Sequence, residues 1–229
     1  MPAYPPPPGL TPRLTTLPSG TELWRCHPAG RGAAEFKTLV AHSHFGGSRF
    51  DSTEADPFPY LYVADQPATA LAEVFLRSRE FGGPGGERLI PWAQAARYRL
   101  SRLWTAEPLT LIQLVAEEDL AAVGQDAWLL ESEGPGYAQT RQWALALRRG
   151  APRAAGMVWQ SRRHRPRNAY VLFGDRCAPG ALKAEPEMTY TLSTEDGLWA
   201  ANRMLAALRA AIYPPDALPD ALPDALPGA

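Results

Sequence analysis

The sequence predicts an α+β fold, and three observations carry that prediction. Short runs of β-forming residues are scattered among helical stretches without the regular strand–helix alternation of a doubly wound sheet. No G-x-G-x-x-G follows a strand, so a Rossmann dinucleotide site is not supported. The 229 residues are 45% hydrophobic and 21% charged, which suits one folded core and is short for two catalytic domains.

Taken in order, residues 1–19 are rich in proline, with Pro5 to Pro8 in an unbroken run, and predict an extended or disordered leader. Glu22 to His27 reads as a short strand. Tyr60 to Ala64 is a second, entered from the turn residues Pro57-Phe58-Pro59. Asp65 is placed to cap a helix that begins near Pro67 and runs to about Glu80. Gly82-Gly83-Pro84-Gly85-Gly86 then interrupts the chain. That loop lacks the Lys-Ser/Thr of a phosphate-binding loop and reads as a mobile connection. Strands are expected over Arg97–Ala106 and Leu109–Val115, and helices over Glu117–Val123 and Gly136–Arg149. Met157–Gln160, Ala169–Phe173 and Met188–Ser193 are further strand candidates. Thr194 to Ile212 reads as a closing Ala-rich amphipathic helix. The body is thus 20–213. Residues 214–229 carry PDAL three times in tandem, a proline-rich tail expected to be disordered.

The bulk numbers set aside several classes of function. A net charge of -1 argues against a general binder of nucleic acid or anionic membranes, which would be basic. Cys26 and Cys177 are the two cysteines; they are far apart, no CxxC occurs, and four clustered zinc ligands are missing. Reduced thiols in a cytoplasmic protein are expected. No secretion signal is readable, and no run reaches the roughly 18 apolar residues of a spanning helix, so no membrane is implied.

The densest chemistry lies between His42 and Arg77, in HSHFGGSRFDSTEADPFPYLYVADQPATALAEVFLR. An arginine, Arg49, follows a glycine pair. Tyr60 and Tyr62 share one face of a strand, because i and i+2 point the same way. A single glutamate, Glu73, stands at the edge of an apolar helical stripe containing Leu71, Val74 and Phe75. From the residues alone Glu73 faces either water or a cleft, and an isolated arginine is ordinarily a solvated surface residue. His42 and His44 would share a face if extended, but two ligands without a third do not make a metal site; no metal is expected.

The ordered set GGSRFD, PYLYVAD and ATALAEV resembles the first half of the RES domain, named for its Arg, Glu and Ser. Arg49 and Glu73 match the first two. The third matches Ser161, which follows Gly156-Met157-Val158-Trp159-Gln160 and precedes the strand Asn168 to Phe173. LWRCH resembles the family's first strand, making Arg25 a second functional arginine. The resemblance spans roughly residues 20 to 195. Two departures stand out. Ser48 is inserted where some members read Gly-Gly-Arg-Trp-Asn, and Cys26 stands where some have a tyrosine, which leaves open which aromatic ring stacks on the ligand.

The resemblance implies mixed sheets with flanking helices, like the ADP-ribosyltransferase toxins, and NAD⁺ as substrate rather than as cofactor. It implies cleavage of the nicotinamide–ribose bond, with water, phosphate or a protein side chain as acceptor, the last making the chain a mono-ADP-ribosyltransferase. It also implies a toxin paired with a cognate Xre-type antitoxin. Such cleavage develops oxocarbenium character on the ribose. Glu73 would stabilise it and hold the 2′-hydroxyl. Arg25 and Arg49 would pair with the pyrophosphate, and Ser161 would hydrogen-bond the ribose or amide. Tyr62, with Tyr60 second, would stack on nicotinamide, and Asn168 would contact ligand or fix local backbone.

A rival signal comes from a different class. Between Gly134 and Gly174 there is no acidic residue, while Arg141, Arg148, Arg149, Arg153, Arg162, Arg163, Arg165 and Arg167 alternate with aromatics. That is the footprint of an RNA-binding module. Glu73 discriminates, because glycosidic cleavage needs it and nucleic-acid binding does not.

Overall fold

The structure, a computed structural model, describes residues 5–82 and 85–214. The start of the leader, Gly83 and Pro84 of the glycine-rich loop, and the PDAL repeats lie outside the described residues. The strands are β1 (Leu14–Leu17), β2 (Glu22–Pro28), β3 (Tyr60–Ala64), β4 (Arg88–Pro91), β5 (Tyr98–Thr105), β6 (Leu109–Leu114), β7 (Gly156–Gln160), β8 (Asn168–Phe173), β9 (Leu182–Thr191) and β10 (Ala210–Tyr213). The helices are α1 (Pro67–Phe75), α2 (Trp92–Ala95), α3 (Glu117–Ala121), α4 (Trp128–Glu131), α5 (Tyr137–Gly150) and α6 (Glu195–Leu205). Eight strands form one mixed sheet in the order β1-β6-β7-β8-β3-β2-β5-β9, and β10 pairs parallel with β4. The expected α+β class holds. None of the described helices is long and apolar enough to cross a membrane.

Alternation along the strands sorts the side chains into three apolar clusters. Leu61 and Val63 of β3 point to a face shared with Leu23 and Leu103. Tyr60 points to the opposite face, where Trp143 and Leu147 of α5 pack on β3, β6, β7 and β8. On that same face Trp24, Leu71 and Leu205 pack α1 and α6 onto β2, β5 and β9. One side of the sheet is therefore continuous, and the other carries two separate packets of core.

Three departures from the sequence reading have local causes. The proline-rich leader contributes β1, paired antiparallel with β6 from Leu14↔Ile112 to Leu17↔Leu109. An edge strand tolerates flanking prolines, because only one side of its backbone needs partners. The closing helix ends at Leu205. Arg209 adopts a left-handed conformation (φ 49), and the chain reverses into β10 instead of continuing to Ile212 as helix. Asn202 completes the new strand, donating from Nδ2 to the Ile212 carbonyl (3.0 Å) and accepting the Ile212 N–H at Oδ1 (2.7 Å). Finally, α1 stops at Phe75 rather than near Glu80. Arg77 Nε donates to the Glu73 carbonyl (2.9 Å) and Arg163 donates to the Arg77 carbonyl, so guanidinium groups satisfy carbonyls the helix end leaves open.

Candidate active site

The site arises from an incomplete seam in the large sheet. β2 and β3 pair at one position, Trp24↔Ala64, whereas β3 and β8 pair along five. Past that point the two strands part. Arg25 to Pro28 on one side and Tyr60, Tyr62 and Val63 on the other line a cleft, with Ala70, Glu73 and Val74 of α1 and Arg77 just past it across the opening. The main chamber has a volume of about 360 Å³, within the range of small-molecule sites. A much smaller chamber of about 20 Å³ adjoins it, lined by Ser48, Arg49, Tyr137, Arg162 and Arg163. Tyr62, Glu73, Arg77 and Trp159 line both.

Glu73 reaches the cleft from the exposed margin of the α1 stripe. Ser161, fully buried just past β7, donates from Oγ to Glu73 Oε1 (2.6 Å). The same Oγ accepts the Arg163 N–H (3.2 Å), so the serine is held from both sides and fixes one carboxylate oxygen. Residues 88 apart in sequence are thereby locked into one unit.

Arg49 is carried on a tight loop. Gly47 has φ +71, and a Cβ there would lie 2.8 Å from that of Ala41, so packing and backbone both demand glycine at 47, while Gly46 (φ +61) answers to backbone alone. The guanidinium sits between the rings of Phe50 and Tyr137 (5.9 Å to each centroid) and donates from Nη2 to the Ser132 carbonyl (3.2 Å). Its Nε is buried without a hydrogen-bond partner. Burial is the main reason its pKa lies below the usual arginine value. A desolvated cation on a cavity wall suits an anionic ligand.

Tyr62 is oriented by Asp51, a residue the sequence reading passed over. The phenol donates to Asp51 Oδ1 (2.9 Å) and accepts the Phe50 N–H (3.2 Å), while Asp51 Oδ2 accepts the Ser48 N–H (2.9 Å). Burial first and the Asp51 carboxylate second hold the Tyr62 phenol well above its ordinary pKa, so it remains a protonated, fixed ring. Tyr60 lines the main chamber but is almost wholly buried, its hydroxyl donating to the Leu39 carbonyl (3.2 Å).

Arg25 also faces the main chamber, yet its Nη1 is occupied by the carbonyls of Gly32 (3.1 Å), Ala33 (2.6 Å) and Glu35 (2.8 Å). It anchors the loop after β2, and burial lowers its pKa to about 10. Asn168 lines neither chamber. Its N–H donates to Asp65 Oδ2 (2.8 Å), and this engages the carboxylate expected to cap α1, whose N-cap is Gln66 instead. His164 is half-buried against Thr69 (2.8 Å). No cluster of three metal-ligating side chains occurs among the described residues, and both cysteines are free.

Arg77, Trp159 and Asp51 are the participants that sequence reasoning missed. A signal existed for two of them: Arg77 is four residues past Glu73 on the same helical face, and Asp51 follows Arg49 by two. The acid-free arginine stretch does not form one basic face. Arg141 and Arg148 are buried, and Arg162, Arg163 and Arg165 pair with Glu133 or Glu131.

A mixed sheet split by a cleft, with a serine-fixed glutamate and a buried arginine on its walls, makes a candidate small-molecule site. The RES domain model matches residues 22–194, and the chain belongs to the RES domain family. Among solved structures it is similar to a chain of the "M.tuberculosis MbcT-MbcA toxin-antitoxin complex", with a TM-score of 0.53 and 18% sequence identity over 76% of this chain and 85% of that one. At that identity the likeness speaks for the fold. No curated protein matches the sequence.

Proposed function

We propose that the chain cleaves the nicotinamide–ribose bond of NAD⁺ by hydrolysis or phosphorolysis. The observation that carries the reading is the Ser161–Glu73 hydrogen bond on the wall of a cleft that Arg49 also serves. With Oε1 held by Ser161, the other carboxylate oxygen is left for the sugar. As the glycosidic bond breaks, its electron pair leaves with nicotinamide, which departs as a neutral base and needs no general acid. Positive charge grows on C1′ and the ring oxygen. Glu73 stabilises that charge and accepts from the 2′-hydroxyl. Arg49 holds the pyrophosphate, with Arg25 beside the same cleft. Tyr62, fixed by Asp51, offers a ring face to nicotinamide. Water, losing a proton to solvent, or phosphate then bonds to C1′ and releases ADP-ribose or its 1-phosphate.

The similarity to a chain of a toxin–antitoxin complex supports reading this chain as a toxin that depletes cytoplasmic NAD⁺ and is restrained by a cognate antitoxin, of Xre type by family resemblance. Purified protein incubated with NAD⁺, with and without phosphate, should release nicotinamide; none under either condition overturns the proposal. Recovery of ADP-ribose on the protein or on added lysate proteins would shift it to transfer. Glu73→Gln should keep the fold and lose roughly 100- to 1000-fold in kcat, the scale of one electrostatic stabiliser. Unchanged turnover would remove Glu73 from the chemistry.

A further inference from the structure

Trp159 is 2% exposed, and its indole Nε1–H has no hydrogen-bond partner. Buried indole N–H groups normally find an acceptor. Trp24, buried in the same cleft, obeys this: its Nε1 donates to Glu22 Oε1 (2.7 Å). The two tryptophans stand at the ends of one row across the sheet. Trp159 registers with Ala169, Ala169 with Ala64, and Ala64 with Trp24. Two methyl groups between two indoles leave a trough in the sheet face, and α1 crosses it with Ala70 and Glu73. Trp159 also meets the Tyr62 ring edge-on, at 6.3 Å and 80°.

We infer that Trp159 is a specificity-determining residue, its indole N–H donating to the carboxamide oxygen of the nicotinamide group. This rests on the proposed NAD⁺ reading. With nicotinamide against the Tyr62 face, an indole packed edge-on to that tyrosine lies beside the bound ring. The ring nitrogen of NAD⁺ is quaternised and accepts nothing, so the carboxamide oxygen is the acceptor the base can offer. The unmatched donor then explains why tryptophan, rather than phenylalanine, occupies a position packed against Phe50 and Tyr62.

The test compares wild type and Trp159→Phe on NAD⁺ and on pyridine adenine dinucleotide, which lacks the carboxamide, following release of the base. On NAD⁺ the variant should show KM raised about tenfold with kcat little changed, as for a hydrogen bond made equally in ground and transition states. On the analogue, wild type and variant should have the same kcat/KM. Equal losses on both substrates, or none on NAD⁺, would overturn the assignment. Wild type that releases no base from NAD⁺ overturns the NAD⁺ reading itself, and with it this one. If thermal melting shows that Trp159→Phe does not fold, 3-benzothienylalanine at position 159 replaces only the N–H by sulfur and enters the same comparison.

Discussion

Arg148 and Arg49 are both buried arginines beside aromatic rings, and they are built for opposite purposes. Arg148 lies between Phe58 and Phe173, 3.7 Å and 4.3 Å from the ring centroids. It donates from Nε to Asp56 (2.7 Å) and from Nη2 to Asp175 (2.8 Å). Arg141, seven residues earlier and hence on the same face of α5, ties the carbonyls of His42 (2.9 Å) and Gly46 (2.8 Å). Arg148's donors are taken up inside the protein, as are both terminal nitrogens of Arg141, whose Nε alone lacks a partner. Arg49 has one carbonyl at 3.2 Å and a buried Nε with none. The density of arginine along the chain therefore says little about function. What matters is whether folding has already matched the donors, and by that measure much of the 141–167 stretch is scaffold.

Arg148→Ala should show the largest effect on stability. It would empty the space between two phenyl rings and leave two carboxylates unpaired. Breaking a buried ion pair costs about 3–5 kcal/mol, and the partial exposure of Asp56 and Asp175 (26% and 38%) places this one near the lower end, about 3 kcal/mol. Denaturant melting measures it; a loss below about 1 kcal/mol, the scale of an exposed pair, would erase the distinction between the two arginines.

Arg49→Ala should reverse the pattern. Little of its hydrogen bonding is inside the protein, so the melt should move by less than about 1 kcal/mol. NAD⁺ binding should weaken roughly 10- to 100-fold, as expected for lost charge-assisted hydrogen bonds. An unchanged KM would show that the pyrophosphate is held elsewhere.

The contrast also explains what the sequence could reveal. β3, the start of α1 and β8 were legible because their patterns are local: Tyr60–Ala64 is a strand by composition, and Pro67 marks a first helical turn. Arg49, Glu73 and Ser161 were legible through family resemblance, not physics, since an isolated glutamate on a helix margin reads as surface. Trp159 was visible only as one aromatic among arginines, because its missing partner is a property of packing. The β1 and β10 strands were hidden for a related reason. Leu14–Leu17 and Ala210–Tyr213 have weak strand signals of their own, and they become strands by pairing with β6 and β4. The bulged β9 was read only at its Met188 end; Pro186 interrupts its strand signal, and the strand runs along the sheet edge, where a proline is tolerated.

His27 allows the smallest and most particular test of the same contrast, because it is a buried polar group whose partners are also internal. It is 2% exposed. Nδ1 lies 3.1 Å from the Pro28 carbonyl, which only accepts, so the proton sits there. Nε2 then accepts from Ser101 Oγ (3.0 Å), which accepts from Thr189 (3.0 Å). Burial first, then the charges of Arg25 and Arg99, lower its pKa below the ordinary 6.5, outweighing the backbone contacts that raise it. Below pH 6.5 the unfolded chain gains a proton that the folded chain refuses. Stability is thus fully present above 6.5 and falls as the pH drops toward the lowered folded value, by at most about 1.4 kcal/mol per pH unit for this one proton. His164 is shifted the same way and adds its own slope. His27→Gln should be less stable at pH 7 yet lose less on acidification to pH 5, leaving the His164 part of the slope. A variant whose acid slope equals that of the wild type would mean that the folded protein accommodates a charged His27, and that this hydrogen-bonded chain across β2, β5 and β9 is not closed in the way that the Arg148 cluster is.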